Sequence, residues 1–235
     1  MRYLFAAVIL ILSGPLPLLG FSEVRLLIPE FRPYTYEGNG TVQGTGVHAL
    51  QEIFKKSGVP YTSVVVSSYD MAISETRSGN ADGFFPAARK AGRDAFAVFT
   101  GPVLHHRWTW FLTAGSTYNP DKASFKPYGR VGTLQNSAMH AWLKSNGYRV
   151  TGLPASAAAL IVMLKKDSIN AILMPEAEFI QVIDEAGEKI DQYRLVVQFD
   201  TPLGMYLSKA YIERNPGALE KITRAMTKAS EEKKD

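Results

Sequence analysis

Apolar segments rich in β-branched residues alternate with segments of helical periodicity in the first half of the chain. In the first helical segment Val47, Leu50 and Phe54 recur at spacings of three and four, which indicates one buried helix face. Gly58 follows that face, where a left-handed helix C-cap is expected. The predicted order is strand EVRLLIP, helix VHALQEIFKKSG, strand YTSVVVSS, a short helix ending at Gly79, and strand ADGFF.

The same alternation restarts in the second half, after a strand at 107–112 and a polar loop. Pro175 suits the first turn of a helix, and Asn215 with Pro216 is typical of a helix start. The predicted elements are strand RVGTLQ, a helix over 137–146, a strand over 148–153, a helix over 156–166, strand INAILM, a helix to Ala186, strand YRLVVQF and a last helix.

Two strand–helix sets joined by an extended segment predict an α/β protein with two lobes. Each lobe is expected to have a central sheet flanked by helices. The cleft between such lobes is the usual place for a small ligand. This pattern predicts a fold and leaves the function open.

The first 22 residues are typical of an export signal. Arg2 supplies a positive start, the run from Leu4 to Leu12 is apolar, and Gly20 and Ser22 are small residues before a cut. We therefore predict a mature chain that begins near Glu23 and lies in the periplasm. The apolar run is shorter than the roughly 20 residues of a membrane-spanning helix.

The amino-acid composition limits the kinds of functional site that the chain can form. The chain has no cysteine, which excludes disulfides, thiolate metal sites and a cysteine nucleophile. Loss of Arg2 with the signal lowers the formal net charge from +4 to +3, too small an excess to indicate nucleic-acid binding. The four histidines, at 48, 105, 106 and 140, are too scattered to indicate a metal site, and no cofactor motif is present.

Three motifs in the first half stand in a characteristic order. An aromatic-x-Pro-aromatic opening with a Gly-rich turn and a helix is FRPYTYEGNGTVQGTGVHALQEIFKKSG, an aromatic-Asp pair before a short helix is SYDMAISETRSGNADGFF, and an Arg ahead of a Phe-Thr pair is RDAFAVFTGP. With VGTLQNS and DSINAILMPE further on, the sequence resembles the extracellular solute-binding proteins of family 3, the amino-acid-type periplasmic receptors of ABC importers.

The resemblance implies a type II periplasmic-binding fold with two hinge crossings, near 104–107 and 200–201. Lobe one would comprise 23–105 and 202–235, and lobe two 106–201. It further implies a monomer that closes on a small polar ligand, an amino acid or related small carboxylate, and delivers it to a membrane permease. A ligand-sensing subunit for a membrane receptor is the alternative.

Arg93 matches the arginine that grips the ligand carboxylate in this family, a role suited to a planar fork of donors. Arg89 lies in the same loop and is the other candidate, because the loop from Asp82 to Arg93 is about one residue shorter than the family pattern.

Aromatic residues supply the second feature of the implied site. Phe31 and Tyr69 match the positions whose rings sandwich the ligand, and Tyr34 follows on the same loop. Rings of this kind offer contact area at a low entropic cost. Core packing is the other interpretation of all three.

Ser137 matches a hydroxyl that opens a helix in lobe two, where backbone N–H groups favour an anion. A plain helix N-cap explains it equally well.

Pro175 is the main departure from the family pattern. Relatives that bind α-amino acids place a carboxylate there for the ligand ammonium, and proline cannot replace it. Glu176 is the candidate substitute, or else a first-turn acid that favours the helix. A few proteins of this kind are lyases or dehydratases, for which Glu176 would be the acid or base. With no catalytic motif in the sequence, we predict a binding protein and not an enzyme.

Overall fold

The computed structural model describes residues 20–232, so the predicted signal lies outside the described residues except for its last three. Those last residues contact the fold. The backbone N–H and the hydroxyl of Ser22 both donate to Oδ1 of Asn215, at 2.7 and 2.9 Å, and the Tyr211 hydroxyl donates to the Ser22 carbonyl. Phe21 lies beneath the ammonium of Lys221.

The described residues form strands and helices in the alternating order that the sequence predicts. The strands are β1 Val24–Pro29, β2 Tyr36–Gly38, β3 Thr41–Gln43, β4 Tyr61–Val66, β5 Gly83–Ala88, β6 Ala97–Thr113, β7 Val131–Gly132, β8 Val150–Gly152, β9 Ala171–Pro175 and β10 Tyr193–Ser208. The helices are α1 Thr45–Ser57, α2 Tyr69–Ser78, α3 Phe125–Tyr128, α4 Ala138–Ser145, α5 Ala157–Lys165, α6 Glu176–Glu185, α7 Lys209–Arg214 and α8 Ala218–Glu231.

One eight-stranded sheet runs through the molecule in the order β4-β1-β5-β10-β6-β9-β7-β8. At one end β1 pairs in parallel with β4 and β5, and at the other β7 pairs in parallel with β8 and β9. Between them β6 and β10 pair antiparallel along most of their lengths. Each end is therefore a small α/β sheet, and two long strands join them.

The two long strands carry the chain between the two ends. The sequence predicts only the stretch 107–112 as a strand, yet β6 continues back to Ala97 because β10 pairs with it throughout. In the register, Leu104 lies opposite Leu203 and Arg107 opposite Asp200. The two segments predicted as hinge crossings are thus direct neighbours in the sheet.

Apolar residues form buried clusters at both ends of the sheet. At the β1 end, Leu26, Leu50, Phe85 and Ile222 belong to one cluster and Phe84 and Tyr206 to another. At the β7 end, the two clusters are centred on Phe111, Ile172 and Phe179 and on Trp110, Leu143 and Leu173. Trp108 packs against the second of these clusters.

Local sequence signals account for most helix ends. Gly58 and Gly79 end α1 and α2 with positive φ values of 70° and 84°. Pro175 is the N-cap of α6 and not part of its first turn, because its backbone still pairs with Trp108 as the end of β9. The last helix begins at Ala218, after the separate helix α7 that the sequence pattern did not predict.

Candidate ligand-binding cavity

A cavity of about 610 Å³ opens beside the β6–β10 pair, at the level where these strands pass between the two ends of the sheet. We call this place the crossing. Three of the predicted site residues, Phe31, Tyr69 and Arg93, lie together in the lining of this cavity. We call it the Arg93 cavity. Its lining also includes Asp70, Arg77, Lys90, His106 and Leu203.

Arg93 is held at the end of the short 3-10 helix Ala91–Arg93. Its Nη1 donates to the carbonyl of Ala88 at 2.8 Å, and its guanidinium lies 5.4 Å from the ring centre of Phe84 and 5.6 Å from that of Tyr206. An arginine has five N–H donors. The hydrogen bond to Ala88 uses one of them, and the stacked rings fix the plane of the fork.

Tyr69 is the first residue of α2, and Ser68 caps this helix by accepting from the N–H of Met71 at 3.1 Å. Burial raises the pKa of Tyr69 to about 12, although the nearby Arg93 cation acts in the opposite direction. The phenol is therefore neutral at physiological pH and offers a ring with a polar tip.

Phe31 belongs to an aromatic group that sequence reasoning identified only in part. Its ring centre lies 5.1 Å from that of Tyr34 and 5.2 Å from that of His106. Tyr34 is only 4% exposed and donates from its hydroxyl to the carbonyl of His105 at 3.2 Å. Tyr34 thus supports Phe31 from behind and does not line the cavity.

His106 is a cavity residue that the sequence interpretation did not assign. The sequence places His106 at a predicted hinge, and strand alternation puts it on the opposite face of the sheet from His105. No neighbouring residue in the sequence indicates that it lines a cavity. Burial lowers the pKa of His106, which favours a neutral ring.

Arg89 and Arg93 are placed differently. Arg89 lies outside the lining of the Arg93 cavity, its side chain is 71% exposed, and it pairs with Asp94 at 3.5 Å. Of the two candidates, Arg93 is the one whose surroundings suit a ligand carboxylate.

Ser137 caps α4. Its hydroxyl accepts from the N–H of His140 at 3.0 Å and donates to the carbonyl of Leu134 at 2.8 Å. It does not line the Arg93 cavity. The N-cap interpretation therefore accounts for its contacts in this structure.

Glu176 is held in a charged network across the two long strands. Its Oε1 lies 3.3 Å from Nη1 of Arg107, and its Oε2 accepts from the hydroxyl of Thr109 at 2.9 Å. Arg107 also pairs with Asp200 at 3.1 Å, and Asp200 pairs with Nδ1 of His105 at 2.7 Å. We call these five residues the crossing network.

The crossing network affects ionisation at its centre. Partial burial acts to raise the pKa of Asp200, but hydrogen bonds from His105 and Arg107, together with their charges, outweigh it and lower the pKa below its ordinary value. Asp200 is thus stabilised as a carboxylate and in turn holds Arg107 beside Glu176.

A second cavity of about 710 Å³ lies between α1 and α6. Its walls include Val47 and Ile180, and its polar groups include Gln43, His48 and Asp184. No arginine or lysine of the described chain lines it, so it lacks the cationic donors that bind a carboxylate most strongly. The smaller Arg93 cavity is the better candidate for an anionic ligand.

Other kinds of site have little support in the described part of the chain. Within residues 20–232, no group of three or more His, Cys, Asp or Glu side chains is arranged to hold a metal ion. None of the helices in that range combines the length and apolar character needed to cross a membrane.

No protein-family model matches the sequence, and no curated protein matches it either. Solved structures do match. A polar amino acid ABC uptake transporter substrate-binding protein from Streptococcus thermophilus gives a TM-score of 0.71 at 15% identity, over 86% of this chain and 79% of that one. The L-cystine solute receptor of Neisseria gonorrhoeae, in an unliganded open conformation, gives 0.68 at 14% identity, over 89% and 88%.

A histidine kinase sensor domain with similarity to periplasmic binding proteins also matches, with a TM-score of 0.51 at 15% identity over 91% of this chain and 92% of that one. At these identities the likeness establishes the fold. The protein has the two-lobed α/β fold of the periplasmic substrate-binding proteins, which confirms the fold predicted from the sequence.

Proposed function

We propose that the protein is a periplasmic solute-binding protein that closes on a small polar ligand bearing a carboxylate and delivers it to an ABC-type permease. The observation that carries this proposal is the meeting of Arg93, Phe31 and Tyr69 in one cavity beside the strand crossing. A cationic fork and two flat rings match the chemistry of a carboxylate on a compact body.

The proposed mechanism is lobe closure. Lobe one would comprise 23–105 with 202–235, and lobe two 106–201. The lining named above comes from lobe one and the crossing, so a ligand held there leaves one face for lobe two to cover. Contacts made only in the closed form would shift the population toward it, and the closed surface would dock on the permease. The binding unit is a monomer in this proposal.

A ligand-sensing subunit for a membrane receptor is the alternative. It is supported by the match to a histidine kinase sensor domain. Closure would be the same in both cases, and only the membrane partner would differ. Crosslinking of the protein in its native cells, followed by mass spectrometry, separates them by recovering either a permease subunit or a receptor.

The enzyme alternative depends on Glu176 as an acid or base. Both of its carboxylate oxygens already hold partners, Arg107 and Thr109. This arrangement favours a structural role for Glu176, and we expect the bound ligand to be released without turnover.

Export to the periplasm is part of the proposal. The contacts of Phe21 and Ser22 with Lys221, Asn215 and Tyr211 favour a cut before Phe21 over one before Glu23. Asn215 is buried, and loss of Ser22 would leave its side-chain oxygen without these two donors. The intact mass of the exported protein measures the position of the cut.

A thermal-shift screen of the mature protein tests the proposed function. The panel comprises amino acids, mono- and dicarboxylates, amines and sugars. A ligand at 100 times its dissociation constant adds about 2.7 kcal/mol to the stability of the folded state. We expect carboxylates to raise the melting temperature. If only amines or sugars raised the melting temperature, the role proposed for Arg93 would be wrong. If the protein converted the ligand chemically, the enzyme alternative would be favoured.

A further inference from the structure

The charge of the Arg93 cavity is unbalanced. Its lining carries Arg77, Lys90 and Arg93 against a single carboxylate, Asp70. Because burial lowers the pKa of His106, that ring adds no positive charge near neutral pH. The cavity therefore has an excess of two positive charges, more than one ligand carboxylate neutralises.

No protein carboxylate within residues 20–232 compensates this excess by an ion pair with Arg77, Lys90 or Arg93. Aromatic rings position the guanidinium groups instead. Arg77 lies 4.9 Å from the ring centre of Phe96, and Arg93 lies over Phe84. Stacking of this kind orients a cation and leaves its charge unneutralised.

Lys90 is anchored through its backbone. Its N–H is hydrogen-bonded to the hydroxyl of Tyr206 at 2.8 Å, and Tyr206 stacks on Phe84, with ring centres 5.1 Å apart. The same two rings lie beneath Arg93. Lys90 and Arg93 thus share one rigid support in the core, so their main chains are fixed relative to each other.

The positions that could offer a carboxylate to a ligand ammonium near the crossing are replaced or already paired. Pro175 has no carboxylate, both oxygens of Glu176 bind Arg107 and Thr109, and Asp200 binds Arg107 and His105. An ammonium bound in the Arg93 cavity would face three cations, and Asp70 is the single carboxylate of the lining. Like charges brought together in a closed interface are strongly unfavourable.

We propose that the ligand is a small dianion without a free ammonium group, a dicarboxylate with a compact apolar body. This inference rests on the proposed function and narrows it. Arg93 binds the first carboxylate, and Arg77 and Lys90 bind the second. Arg77 lies in the last turn of α2, whereas Lys90 and Arg93 are the N-cap and the last residue of the 3-10 helix. This division between two elements suits two separated anionic groups better than one compact phosphate.

Glutarate and L-glutamate form the decisive pair of probes, because they differ only by the α-ammonium group. Isothermal titration of the mature protein should give glutarate an affinity at least about tenfold higher than that of L-glutamate. Equal or tighter binding of L-glutamate would overturn the inference. Inorganic phosphate is the third probe, and tighter binding of phosphate than of glutarate would overturn the dicarboxylate assignment.

Variants test the assignment of the cations. Arg77→Gln and Lys90→Gln should each weaken glutarate binding about tenfold, because each removes a partner of the second carboxylate. Arg149→Gln is the matched control, since it removes the same charge from an exposed position outside the lining. Equal effects of all three variants would mean that only the general charge matters, and the site would be wrong.

Asp70→Asn separates the two ligand classes. A dicarboxylate should bind this variant as well as or better than the unchanged protein, because a repulsive charge is gone. Selectively weaker binding of L-glutamate to this variant, with glutarate unchanged, would identify Asp70 as an ammonium acceptor and overturn the inference. If dicarboxylates fail to bind while an amino acid binds, the inference fails and the proposed function stands. If no compound of any class binds, both fail.

Discussion

At the residue scale, Arg93 and Arg89 show how the same side chain takes different roles a few positions apart. The rings of Phe84 and Tyr206 lie under Arg93 and hold it at the cavity, whereas Arg89 is exposed and paired with Asp94. The sequence left the choice between them open, because the ring of Tyr206 that supports Arg93 comes from a distant part of the chain.

Arg93→Ala should weaken binding of the carboxylate ligand about 30-fold or more, because a charge pair inside a closed cleft loses one partner. The stability of the unliganded protein should change by less than about 1 kcal/mol. Titration calorimetry and a denaturant melt measure the two effects.

Arg89→Ala is the control for this variant, and it should bind normally. If Arg93→Ala binds normally and Arg89→Ala does not, the carboxylate role belongs to Arg89.

The charge of Asp200 should make a measurable, pH-dependent contribution to the stability of the folded protein. Its pKa is lower in the folded protein than the ordinary value of 3.8, so its contribution to stability is present above that pH and is lost as the pH falls through the folded-state pKa. Asp200→Asn should therefore destabilise the protein at pH 7 by about 0.5–1 kcal/mol, a range that allows for solvent screening of a partly exposed pair.

Below the folded-state pKa the difference between Asp200→Asn and the unchanged protein should vanish. Urea melts at pH 7 and at a series of pH values below 3.8 measure how the difference shrinks, with the exposed Asp184→Asn as the control. A destabilisation that persists unchanged at low pH would show that the charge of Asp200 is not its source.

At the element scale, the sequence predicted what local rules determine. Helix periodicity and the glycines at 58 and 79 identify α1 and α2, because their caps depend on residues within one turn. The lengths of β6 and β10 were underestimated because strand pairing is nonlocal. Arg107 and Asp200 are 93 positions apart, and Arg107 and Glu176 are 69 apart, so no local pattern indicates the crossing network.

The same distinction applies to the candidate site. Phe31, Tyr69 and Arg93 were identified from motifs, and the fold brings them into one cavity. His106, Arg77 and Lys90 were missed because isolated polar residues on a strand, a helix and a loop are usually solvent-exposed. Only their convergence in the folded chain distinguishes them.

Gly204 is required where β10 passes between its neighbours. A Cβ atom there would overlap the carbonyl oxygen of Gly101 and the ring of Phe99, and the β10 register shifts on both sides of this glycine. Gly204→Ala should cost about 1–3 kcal/mol of stability, because backbone must move to accept it.

Gly115→Ala is the matched control for Gly204→Ala, since a Cβ at Gly115 meets no atom within 4 Å. Urea melts of both variants compare the costs. Equal stabilities would mean that the β6–β10 crossing tolerates the extra atom, and that its packing is looser than described.

At the scale of the whole molecule, the two ends of the sheet are joined by β6 and β10, and the Arg93 cavity lies beside this junction. Motion of one lobe relative to the other would bend these two strands. The crossing network spans the same place, so Arg107, Asp200 and Glu176 are positioned to influence the balance between open and closed forms.

In the proposed function, ligand binding closes the two lobes on each other. Because the chain has no cysteine, Lys55→Cys on α1 and Lys144→Cys on α4 create a unique pair for fluorescent labels. Energy transfer between the labels should change as glutarate is added, and the same pair carrying Arg93→Ala should require about 30-fold more glutarate, or more, for the same change. Saturable binding with no change in transfer for this pair would contradict closure as the mechanism.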